Sequence, residues 1–182
     1  MSHSITDIFY KQRDDFFKEQ KEREKRLIFP DDVSEIKDIS YLDDGDKAHR
    51  LDIYRPKKSG DKKLPVIINV HGGGLILGSK EFNRYFCANL CKLGYVVFSV
   101  EYRLVPECMF YDQCEDLSRA FDFIDKNIPK YVGRAFERLP IVTNASILKN
   151  IIYSGVWQKY NKIVNKIDED NLKKNNPDWR KV

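Results

Sequence analysis

The sequence predicts an α/β fold: an opening antiparallel hairpin, then parallel strands with crossover helices, and a divergent helical C-terminus. Three observations carry that expectation. "LPVIINV" (64–70) and "YVVFSVEY" (95–102) are continuous apolar, β-branched runs, as expected of strands buried on both faces. "EFNRYFCANLCKLG" (81–94) and "YDQCEDLSRAFDFIDKNI" (111–128) have helical spacing and alternate with those strands. "SEIKDISYLDDGDKAHRLDIYRP" (34–56) is two alternating runs around the turn signal "DDGD".

In chain order, residues 5–27 alternate charge with Ile5, Ile8, Phe9, Phe16 and Phe17 and read as an amphipathic helix whose run "KEQKEREKR" is solvated. "FPDD" (29–32) ends it, because proline restricts the residue before it. In the hairpin, Ile36, Ile39 and Tyr41 are answered by Leu51, Ile53 and Tyr54. Gly94 is a natural C-cap for the first crossover helix. Leu117, Ala120, Phe121 and Ile124 share one face of the second. From Ile147 to Ile167 the apolar gaps alternate between three and four, an amphipathic helix within 146–170. Its stripe either packs on the sheet or meets a partner chain.

The 182 residues fit one domain, 1–182, made of an N-terminal helix (1–30), a sheet core (33–130) and a divergent tail (131–182). A net charge of +4 from 32 basic and 28 acidic residues, with no basic block free of acids, argues against a nucleic-acid partner. No run approaches the roughly 20 apolar residues that span a bilayer. The N-terminus has no apolar stretch of the secretory kind. These readings predict no membrane partner and a cytoplasmic location. Cys87, Cys91, Cys108 and Cys114 form no CxxC pair, and Cys87 and Cys91 at i, i+4 fit the buried face of a helix better than a metal. No metal and no cofactor is expected.

The chemistry lies at "INVHGGGLILGS" (67–78), where a buried strand stops at a histidine and three glycines. In open parallel sheets, ligands bind beyond the carboxyl ends of the strands. When a nucleophile attacks an ester carbonyl, negative charge builds on oxygen, and preorganised backbone N–H donors stabilise it by several kcal/mol. Glycines leave such donors open to approach. A plain Gly-rich turn would explain the four residues His71–Gly74 taken alone.

Further on, "EYRLVPE" (101–107), Phe110 and Asp116 resemble the "DYRLAPE…F…D" block of the hormone-sensitive-lipase-like carboxylesterases. These have the α/β-hydrolase fold, and their HGGG loop precedes that block by the same strand-helix-strand unit. The resemblance covers about residues 47–128, with Glu101 for Asp, Val105 for Ala and Tyr111-Asp112 for Pro-Ala as departures. It implies that Gly73 and Gly74 donate to the oxyanion, that Gly72 shapes the turn and that His71 braces the loop. Arg103 and Glu107 would tie down the segment after the fourth strand.

That family next needs a G-x-S-x-G elbow, an acid and a histidine. The three histidines are His3, His49 and His71, so none follows the loop. Ser146, at a strand-to-helix junction in "TNASIL", is the candidate nucleophile, though it is also a ready helix N-cap. The expectation is therefore an esterase lineage whose machinery is incomplete in this chain. A truncated or rearranged product, a non-catalytic ligand-binding relative, and a half-enzyme completed by another chain all fit. The ligand would be a small acyl ester or carboxylate. Valine at Gly73 would block its approach. Apolar surface left by a partial sheet predicts a homodimer with Trp157 and Ile163 in the contact.

Overall fold

The computed structural model describes residues 4–59, 64–132, 136–138 and 142–143. The elements run α1 (Ile5–Glu24), β1 (Val33–Ser40), β2 (Arg50–Pro56), β3 (Leu64–Val70), a 3₁₀ turn (Lys80–Asn83), α2 (Arg84–Lys92), β4 (Val96–Val100), α3 (Phe110–Val132), β5 (Phe136–Arg138) and β6 (Val142–Thr143). The sheet order is β1-β2-β4-β3-β5, with β6 also beside β3. β1/β2 and β2/β4 are antiparallel, while β3 runs parallel to β4, β5 and β6. The core is thus the parallel pair β3–β4, in register from Val66↔Val96 to Val70↔Val100.

Side-chain alternation explains the two layers around that pair. Ile67 and Val97 point to one face and join Val33, Tyr54, Cys87, Ala88 and Cys91, so the i, i+4 cysteines are core residues of α2. Burial pushes both thiols up to about 12. α3 packs against β4, and its stripe Leu117, Ala120, Phe121, Ile124 and Ile128 is buried. α2 ends as expected, with Gly94 at φ +94° and its N–H on the Cys91 carbonyl (2.9 Å).

The structure departs from the sequence reading at three places. The hairpin pairs Ile36 with Ile53 and Ile39 with Leu51, but its register slips between them at a bulge where Asp38 takes φ +56°. The bulge turns the Asp38 N–H onto the buried Asp52 carboxylate (2.9 Å). The first crossover helix opens as a 3₁₀ turn, in which the Arg84 N–H bonds the Glu81 carbonyl while the Lys80 carbonyl accepts from Ser99 Oγ (3.1 Å). Finally, β4 stops at Val100, so Glu101 and Tyr102 are not strand residues. They belong to the site.

β5 and β6 are short additions on the far side of β3. Ser146, the 146–170 helix, and Trp157 and Ile163 with the homodimer contact expected of them lie outside the described residues. No helix among the described residues is long and apolar enough to cross a membrane.

Candidate functional site

The segment from His71 to Lys80 leaves the carboxyl end of β3 and returns at the 3₁₀ turn. Two polar residues set in the apolar strands prepare its landing. Asn69 and Ser99 are direct neighbours across β3–β4, and Asn69 Nδ2 donates to Ser99 Oγ (3.0 Å). Asn83 Nδ2 then donates to Asn69 Oδ1 (3.2 Å). All three side chains are buried, so each bond offsets a desolvation cost that an apolar strand would not carry.

His71 is fully buried. Its ring stacks on Tyr102 with centroids 4.3 Å apart and planes 12° from parallel. Its Nε2 donates to Glu101 Oε1 (2.7 Å), and Tyr102 Oη donates to the His71 carbonyl (2.8 Å). The other carboxylate oxygen, Glu101 Oε2, accepts the Lys80 N–H (3.0 Å). His71 therefore braces the loop from inside, and a ring with no exposed atom is in no position to take a proton from a nucleophile at the surface.

Between these ends, the carbonyls of Gly73, Leu75 and Ile76 are occupied. Gly73 O accepts from Leu77 N (2.9 Å) and Ile76 N (3.3 Å). Leu75 O accepts from Val105 N (3.0 Å) and Gln113 Nε2 (2.9 Å), and Ile76 O from Arg13 Nε (2.7 Å). By contrast, the N–H groups of Gly73 and Gly74 have no acceptor among the described residues. Gly74 is exposed, while Gly72 and Gly73 are half-buried. A turn held by its own Ile76 and Leu77 bonds, with the two glycine donors left open, can receive an anionic oxygen without rearranging.

The glycines have different tasks. Gly73 (φ +138°) and Gly74 (φ +62°) both need the freedom of glycine, but a Cβ on Gly73 would overlap the Leu77 carbonyl, whereas one on Gly74 meets open space. Valine at Gly73 would therefore break the turn, not block a ligand, and the expectation above is corrected accordingly. Gly78 (φ +105°) is a requirement the sequence reading missed. A Cβ there would overlap the Gly72 carbonyl oxygen and His71 Nδ1.

Arg103 and Glu107 anchor the segment after β4 to two different elements, not to each other. Arg103 makes a two-point pair with Asp116 of α3, Nε to Oδ2 at 2.9 Å and Nη2 to Oδ1 at 2.7 Å, and its own N–H reaches Oδ2 (3.1 Å). Glu107 pairs with Arg13 of α1 (2.6 and 2.8 Å), which holds its carboxyl below the ordinary range. Beyond the loop, the buried Lys80 Nζ lies 2.9 Å from Asp52, 3.0 Å from Asp38 and 2.6 Å from Glu81. Burial lowers the affinity of Lys80 for its proton, but bonds to Glu81 and Asp52 outweigh that and hold it above the usual lysine range. Among the described residues no serine, cysteine or free imidazole stands beside the glycines in a relay; Ser146 lies outside them.

Sheet order, the glycine loop after β3 and the YRLVPE anchor are together those of the N-terminal portion of an α/β-hydrolase fold. Comparison with known proteins agrees. Residues 51–137 match the BD-FAE family model. Probable carboxylesterase 11 of Arabidopsis thaliana is 37% identical over 88 residues, 44% of this chain and 19% of that protein. Esterase LipQ of Mycobacterium tuberculosis is 29% identical over 103 residues, 56% of this chain and 24% of that protein. Among solved structures, esterase B from Lactobacillus rhamnosis has a TM-score of 0.67 at 25% identity, covering 75% of this chain and 42% of that one. The hyperthermophilic esterase from the archaeon Pyrobaculum calidifontis has 0.57 at 28%, also over 75% and 42%. These matches support an α/β-hydrolase esterase family for the N-terminal portion of the chain. The matched stretch spans about a fifth to a quarter of these two curated relatives.

Proposed function

We propose that this chain is the oxyanion-binding portion of a carboxylic-ester hydrolase, and that by itself it binds a short carboxylate or acyl oxygen without turning an ester over. One observation carries the reading: the Gly73 and Gly74 N–H groups have no acceptor among the described residues, in a turn whose carbonyls at Gly73, Leu75 and Ile76 are all engaged. In the esterase reaction those donors would meet the oxygen that turns negative as the carbonyl becomes tetrahedral. A serine nucleophile also needs a base to take its proton. No histidine stands in residues 72–182, and His71 is buried behind the loop. These two facts support a binding role over hydrolysis by this chain alone.

The test is a titration of isotopically labelled protein with butyrate, followed through the glycine amides. Millimolar affinity is expected, as a few hydrogen bonds allow. Gly74→Asn, the side chain that best tolerates φ +62°, adds bulk where a Cβ meets open space and should weaken binding at least tenfold, with the Leu77 amide signal checking that the turn is kept. Unchanged binding in that variant overturns the reading. So does saturable hydrolysis of p-nitrophenyl butyrate that Ser146→Ala removes.

A further inference from the structure

None of the residues of α1 is fully buried, yet one of its side chains enters the site. Arg13 uses every part of its guanidinium. Nε donates to the Ile76 carbonyl (2.7 Å), Nη2 to the Val105 carbonyl, and Nη1 and Nη2 to Glu107 at 2.6 and 2.8 Å. Its partners lie on two separate segments, the glycine loop and the stretch after β4. Those segments already touch where Val105 N donates to the Leu75 carbonyl (3.0 Å). Arg13 closes that seam from outside, and its side chain is 14% exposed although its helix is solvated. One turn further along α1, Phe16 packs on Phe82 of the 3₁₀ turn with ring centroids 5.1 Å apart, which fixes the helix at the other end of the same loop.

We propose that Arg13 is a positioning residue for the Gly73–Gly74 donors, so that α1 is part of the ligand site. Ile76 is the residue whose carbonyl Arg13 holds and whose N–H closes the turn on the Gly73 carbonyl. Fixing it fixes the direction in which the two glycines present their N–H groups. Arginine is required because a planar fork serves a carbonyl through Nε and a carboxylate through its two terminal nitrogens at once, which a lysine's single nitrogen cannot. For its ligand the proposal rests on the carboxylate-binding reading above; for the loop's geometry it does not.

The experiment therefore measures the loop and the ligand separately in the full chain, for wild type, Arg13→Ala, Arg13→Lys and Glu107→Gln. Amide hydrogen exchange at Ile76 and Leu77 reports the turn, exchange at Val97 and Phe98 reports the sheet, and butyrate titration reports the donors. Arg13→Ala and Arg13→Lys should both speed exchange at Ile76 and Leu77 at least tenfold and weaken butyrate about tenfold, with the sheet amides unmoved. Glu107→Gln keeps an acceptor and should have a smaller effect on both. Wild-type loop exchange in Arg13→Lys would overturn the proposal, by showing that any cation suffices to tether α1. Equal acceleration of loop and sheet amides in Arg13→Ala would also overturn it, since Arg13 would then serve only overall stability. If wild-type protein fails to bind butyrate, the ligand reading falls, while the loop exchange still decides the role of Arg13.

Discussion

The glycine loop is held from two sides by different chemistry. Inside, His71, Tyr102 and Glu101 form a dry contact in which the imidazole is fully buried, stacked and bonded. Outside, Arg13 reaches it from α1 and pairs with Glu107 of the segment after β4, whose side chain is 43% exposed. Buried contacts of the first kind have few alternatives once formed, because an unpaired group there costs its full desolvation. Exposed ion pairs of the second kind are worth little in stability. The inner side should therefore decide whether the loop exists, and the outer side how its donors are aimed.

Substitutions can break that division, and the largest effect is expected at Gly78. Gly78→Val should cost about 3–5 kcal/mol, because the new side chain meets the Gly72 carbonyl and the His71 ring at a backbone angle that suits only glycine. Urea unfolding monitored by circular dichroism checks it; a loss below about 1 kcal/mol would mean that the inner side yields easily. His71→Ala should come next, at about 3 kcal/mol, since it removes the stack on Tyr102 and the partner of Glu101 Oε1. The same urea measurement checks it; a loss below about 1 kcal/mol would mean that the loop stands without the ring.

The smallest effect lies outside. Arg13 holds the Glu107 carboxyl below its ordinary value of 4.5. A folded value below the unfolded one means that the pair contributes fully above about pH 4.5 and loses its contribution as pH falls through the depressed value. The amount should be no more than about 0.5 kcal/mol, because solvent screens the pair. Comparing urea midpoints of wild type and Glu107→Gln between pH 7 and pH 3 sharpens the contrast: their difference should shrink toward acid. A difference that grows instead would mean that the outer pair stabilises the fold by some other route.

Much of this architecture was legible because its signals are long. β3, α2, β4 and α3 each carry a continuous run or a repeated face, and the motif at His71–Gly74 falls where the strand pattern stops. What escaped depends on distant partners. Gly78 looks like any turn glycine until the His71 ring is found against it. Arg13 is one charge among many on a solvated helix, and its carboxylate partner stands 94 positions away. Asn69 and Ser99 each interrupt an apolar run by one residue, too little to reveal that they face each other. β5 and β6, of three and two residues, are too short to show any period.

Glu101 also sets the loop apart from the sheet that carries it. Its two oxygens hold His71 and the Lys80 N–H, the first and last positions of one excursion, so the intervening stretch is an Ω-shaped insert with a closed neck. Closure entropy grows only with the logarithm of length, about 0.6 kcal/mol for each doubling. Residues added between Ile76 and Leu77 should then burden the sheet little while redirecting the donors entirely. The neck can stay constant while the interior is rewritten, and a scaffold arranged in that way can change what it binds without relearning how to fold.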